Sequence, residues 1–248
     1  MRIRNAVLGA VLLALTAAAL GAGLWYFKGR EWVAYRRAEQ AYTNQDWPEA
    51  KAQYGWYLAQ QPDDANALLR YAEASGKILP NRTINVRDAA RAYRRVAMLR
   101  PGDEAAAFQA ARFCEDHELW LDLQSCAQQF SEAFAGSADL AYWRALAEEK
   151  LGNTDLALTQ YEALVQSPAY PPKALAALAE LLTQRGRVEE AKARLDAAID
   201  GKPDSAILRA YRADRFIRRN QLVEAEKEIG EALRLGREIP EVLLAAGR

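Results

Sequence analysis

The chain predicts an all-α protein, a solenoid of stacked helix–turn–helix units behind one membrane-spanning helix. Three observations carry that expectation. Ala38, Ala72, Ala111, Ala145, Ala179 and Ala213 follow one another at steps of 34, 39, 34, 34 and 34 residues. A second series, Ala50, Ala89, Leu123, Ala157, Ala191 and Ala225, keeps the period out of phase. Residues 6–27 carry no charge at all. A two-helix unit of this length cannot bury its own apolar face. Neighbours must stack, and stacking yields an extended surface for partners, not an enclosed catalytic pocket.

Residues 1–5 form a short basic tail with Arg2 and Arg4. Residues 6–27 are long enough, roughly 33 Å at about 1.5 Å per residue, to cross a bilayer core. Trp25, Tyr26 and Phe27 close the run and Lys28 and Arg30 follow, the order of a membrane–water boundary. A cleaved signal peptide is the competing reading, with Ala19 and Gly21 before the cut. The apolar run exceeds the usual h-region of about 7–15 residues, which favours an uncleaved anchor. Cation counts at the two ends lean toward cytoplasmic repeats. The short basic tail is the form of a signal anchor, and the expectation adopted is a bacterial inner-membrane protein with periplasmic repeats.

Six repeats follow over residues 31–239, at 31–64, 65–103, 104–137, 138–171, 172–205 and 206–239. The fifth shows the scheme. Residues 173–185 make its first helix, with Leu175, Leu178, Ala179 and Leu182 on one face. Gly186 breaks it, residues 188–200 make the second helix with Ala191, Leu195 and Ile199 inward, and Gly201-Lys202-Pro203-Asp204 closes the unit. The alanines mark where the helices cross. Tyr54, Tyr93, Tyr161, Leu195 and Ile229 fill the gap one turn on, and in the third repeat Ala127 and Phe130 exchange sizes. The second repeat is five residues longer, and residues 76–85 are its expected loop. Residues 240–248 begin a seventh repeat, so the array is expected to continue into a longer protein.

On these residues the chain resembles the tetratricopeptide repeat family. The small residues match its positions 8 and 20. Tyr54, Tyr93, Tyr161, Leu195 and Ile229 match position 24, and Pro62, Pro101 and Pro203 its closing proline. The resemblance covers residue 31 to the end, and the third and fourth repeats lack the proline. It implies a right-handed superhelix whose concave groove is lined by first-helix residues. Placed on this chain, those are Tyr35, Tyr42, Leu69, Phe108, Arg112, Tyr142, Leu146, Glu149, Glu180, Asp214 and Arg218. Tyr35 and Glu39 stand where some members carry a lysine–asparagine clamp for chaperone tails, which argues against that role.

Catalytic chemistry is not signalled. Lys+Arg and Asp+Glu are balanced at 33 each, against a nucleic-acid partner. His117 is the single histidine, and Cys114 and Cys126 fit no zinc spacing. No phosphate loop or nucleophile elbow occurs. The expectation is a non-enzymatic, membrane-anchored scaffold for protein or peptide partners in envelope assembly, with no cofactor or metal. Two alternatives remain: the recruiting part of a longer polysaccharide-assembly protein with a catalytic or metal-binding domain, and a self-associating repeat protein.

Overall fold

The computed structural model describes residues 29–80, 82–167 and 169–247. Within them the chain forms thirteen helices and no strand. α1 (described over residues 29–43), α2 (Trp47–Leu58), α3 (Ala65–Lys77), α4 (Thr83–Leu99) and α5 (Glu104–Asp116) come first. α6 (Trp120–Ala133), α7 (Ala138–Lys150), α8 (Thr154–Leu164) and α9 (Pro172–Gln184) follow. α10 (Val188–Gly201), α11 (Ala206–Arg218), α12 (Leu222–Gly236) and α13 (Pro240–Ala246) complete the chain. Two compact units result, one ending at Phe113 and the next beginning at Cys114, so the division falls inside α5.

Packing in each unit is between near neighbours in sequence. In the first, α3 packs on α2 and α4. In the second, α6 packs on α7, α7 on α8, α9 on α8 and α10, and α11 on α12. First helices of successive repeats also meet, α9 with α11 and α11 with α13. The two alanine series lie at the crossings as expected. All twelve of their positions, Leu123 included, are at most 2% exposed. Tyr54, Tyr161 and Leu195 are buried beside them, and Ala127 and Phe130 are both buried in their exchanged places.

The turn between paired helices recurs in five of the repeats. Glu118, Gly152, Gly186 and Asn220 stand 34 residues apart and adopt φ of 55°, 88°, 77° and 57°. Gln45 does the same in the first pair at 59°. Each left-handed residue lets the next amide reach five residues back, as in Asn153 N to Glu148 O (2.9 Å) and Arg187 N to Leu182 O (2.8 Å). This closure satisfies carbonyls that the helix end leaves open. Between pairs, the closing proline is followed two residues on by a capping side chain. Asp64 accepts from the Ala67 amide (3.0 Å), Asp103 from Ala106 (3.1 Å) and Ser205 from Leu208 (3.4 Å).

Two expectations change. The loop at 76–85 is shorter than expected, because Gly76 and Lys77 complete α3 while Thr83, Ile84 and Asn85 open α4. Asn85 is buried and its side-chain oxygen accepts from Lys51 Nζ at 2.9 Å, which draws the inserted residues into helix. Asn81 and Pro168 lie outside the described residues. So does the spanning helix expected at 6–27. Among the described residues no helix is long and apolar enough to cross a membrane. The localisation as a single-pass inner-membrane protein with periplasmic repeats is corrected on that finding.

Candidate interaction groove

In the second unit the first helices of four successive repeats, α7, α9, α11 and α13, line a groove of 320 Å³. Its floor is written at 34-residue spacing. Tyr142, Ala176, Ala210 and Leu244 occupy one row, and Ala177, Tyr211 and Ala245 the row beside it. Two alanines between Tyr142 and Leu244 leave a depression where a repeat with larger residues would be filled. Exposed Leu244 stands at one end, and Tyr142, buried against Tyr161 with ring centroids 6.2 Å apart, at the other.

The walls carry both signs of charge. Arg218 donates to Asp214 (Nε to Oδ2, 2.8 Å) and to Glu180 (Nη1 to Oε1, 3.2 Å), joining α11 to α9. Lys150 donates to Glu149 (2.9 Å), and the buried Tyr161 hydroxyl donates to the other oxygen of Glu149 (3.1 Å). Lys173 lies 4.1 Å from the Tyr142 ring centroid and 5.0 Å from that of Trp143, with Glu115 Oε2 at 3.8 Å. That carboxylate also accepts from Trp143 Nε1 at 2.5 Å. A cation over two aromatic faces and beside a carboxylate is held in place. Burial and then the Glu115 charge raise the Tyr142 phenol well above its ordinary value, so it remains a neutral donor. Burial likewise pushes Tyr211 up to about 12.

Six residues expected in a groove, Tyr142, Leu146, Glu149, Glu180, Asp214 and Arg218, are brought together here. The other five lie in the first unit. Tyr35 packs against Tyr57 and Tyr54, with centroids 5.1 and 6.1 Å away, and Tyr42 against Trp47 at 5.4 Å. Tyr42 donates to Glu73, and the Arg70 guanidinium covers its ring at 4.4 Å. These two tyrosines pack against that unit's core. Leu69 and Phe108 are half-buried and Arg112 is exposed. Sequence reasoning missed Lys173, Ala176, Tyr211 and Arg215. The signal for the first two was present, since they repeat the register of the expected set; Tyr211 and Arg215 sit on the neighbouring row.

Neither a protein-family model nor a curated protein matches the sequence. Among solved structures, a tetratricopeptide repeat protein from Parabacteroides merdae ATCC 43184 is similar over 88% of this chain and 85% of that chain, at 14% identity and a TM-score of 0.57. The MamA protein is similar over 69% of this chain and 91% of that chain, at 16% identity and a TM-score of 0.50. Identities this low speak to architecture alone. The chain has the tetratricopeptide-repeat fold.

Proposed function

We propose that the groove of the second unit binds a peptide segment of a partner protein and acts by binding, without catalysis. One observation carries this reading. Four consecutive first helices present one continuous row that is low in the middle, at Ala176 and Ala210, and charged at its margins. A bulky apolar side chain of the partner fills the depression. Peptide polar groups and charges meet Lys150, Glu180, Asp214 and Arg218 along the walls, the division between anchor and rim found in peptide-binding surfaces.

The test is selection of binding peptides from a display library, followed by titration against variants. Ala176 is half-buried on the floor, so Ala176→Trp fills the depression. Arg218 is exposed, so Arg218→Glu reverses the wall charge without touching the core. Ala176→Trp is expected to melt near the parent temperature and Arg218→Glu somewhat below it, because its pairs with Asp214 and Glu180 are lost, and both are expected to lose the selected peptides. Peptides that bind both variants as they bind the parent would refute the groove assignment.

A further inference from the structure

A second cavity of 100 Å³ in the same unit is set between α10 and α11, with Gln221, which precedes α12, at its edge. Its lining is dominated by cations. Lys192, Arg212, Arg215 and Arg219 face the acids Glu189 and Asp196. Arg212 is already neutralised, because Nη1 donates to Asp196 (3.0 Å) and Nη2 to the buried Glu228 (2.7 Å). That leaves Lys192, Arg215 and Arg219 opposite Glu189, and among the described residues none of those three cations has a salt-bridge partner.

Two further features agree. Among the described residues, Arg215 Nη2 and Arg212 Nε are buried donors without an acceptor. Such donors are costly to leave unmet, and native structures seldom leave them so. Arg215 and Arg219 lie one turn apart on the same helix edge, a spacing at which like charges repel. Burial first, and then the Arg219 charge, hold the Arg215 guanidinium below its ordinary value.

We propose that this cavity is a binding site for a tetrahedral oxyanion of the phosphoryl class, held by Arg215 and Arg219 with Lys192 beside them. The charge decides the class. A monocarboxylate needs a single guanidinium fork and would leave a cation unmatched. A phosphate, with its second pKa at about 6, carries close to two charges and three acceptor oxygens at neutral pH. The cavity lies behind the peptide groove and shares Leu195 and Arg215 with it. The site stands independently of what the groove binds.

The experiment is thermal melting and calorimetric titration of the full chain in inorganic phosphate and in chloride at equal ionic strength. Phosphate is expected to raise the melting temperature progressively with concentration, and chloride is not. Exposed Arg219→Gln is expected to raise the melting temperature in chloride, by removing the repulsion, while weakening phosphate about tenfold, the scale of one charge-assisted hydrogen bond. Arg215→Gln with Arg219→Gln is expected to abolish the phosphate response. A phosphoserine peptide run in parallel separates the sources: tighter binding than phosphate points to a phosphorylated partner, and equal binding to the free ion. Equal melting in phosphate and chloride, or a phosphate response that survives Arg219→Gln undiminished, would overturn the proposal.

Discussion

Alanine at a helix crossing works by what it lacks. Ala179 is 1% exposed where α9 meets its neighbours, and a γ carbon there would have to enter occupied space. Ala179→Leu is expected to cost about 1–3 kcal/mol by overpacking, read as a lower urea midpoint. An unchanged midpoint would mean that the crossing has room for the added carbons. Glu148 is the opposite case, a buried carboxylate kept because it is fully used. It accepts from Gln124 Nε2 at 2.8 Å and from Asn153 Nδ2 at 2.7 Å, tying α6 and the α7–α8 turn to α7. Glu148→Ala removes both bonds and leaves the half-buried Gln124 amide unmet, and a loss of about 1–3 kcal/mol is expected from denaturant curves. The tyrosines supply a pH dependence. Burial pushes Tyr93 up to about 12 from an ordinary value of 10.0. A phenol raised in the folded state ionises first in the unfolded chain, so its contribution is complete below pH 10 and is lost as pH climbs toward about 12. Tyr93→Phe should flatten that part of the profile. A profile identical to the parent's would exclude Tyr93 as its source.

The paired-helix turn separates backbone conformation from packing. A Cβ added at Gly152 or Gly186 would meet nothing within 4 Å, yet both residues have positive φ. Gly186→Ala therefore isolates the cost of the left-handed region, about 1–2 kcal/mol. The converse holds at the same register in the third repeat, where Glu118 adopts φ of 55°. Glu118→Gly is expected to stabilise the protein by about 0.5–1 kcal/mol, the strain relieved less the entropy that glycine adds to the unfolded chain. A melting temperature lowered by Glu118→Gly would contradict this account of the turn. The insertion in the second repeat shows the same economy of backbone. Its residues extend α4 to seventeen, where Val86 and Asn85 can be buried, and little of the added length stays as loop.

Over the whole molecule, stability is a sum of neighbour terms, since each helix packs chiefly on those next to it in sequence. The first unit is expected to open locally when its own core is disturbed. Ala50→Leu, which overfills the first unit's core, should speed amide exchange in α2 and α3 while α9 and α11 keep their protection. Hydrogen exchange read by mass spectrometry checks this, and a uniform loss along the chain would show a single cooperative block.

The sequence by itself determined the periodic parts: the all-helical class, the crossing alanines, the compensating Tyr161 and Leu195, and the turns at Gly186 and Asn220. A 34-residue period samples each of these positions several times, and their demands are local, a small side chain or a left-handed backbone. It also placed Leu146, Glu180 and Asp214 on one face, because helix register alone sets that row. Tertiary structure decided which face stays open. Tyr35 and Tyr142 share one register position, yet Tyr35 joins a ring cluster of its own unit while Tyr142 walls a groove. Each faces a buried tyrosine, Tyr54 at 6.1 Å and Tyr161 at 6.2 Å; the difference lies in what else stands beside them, Tyr57 in one case and the small Ala176 in the other. The cavity at Arg215 and Arg219 was illegible for the same reason. Charge balance along a chain says nothing of which guanidinium finds its carboxylate, and that pairing is settled only when α10, α11 and α12 come together.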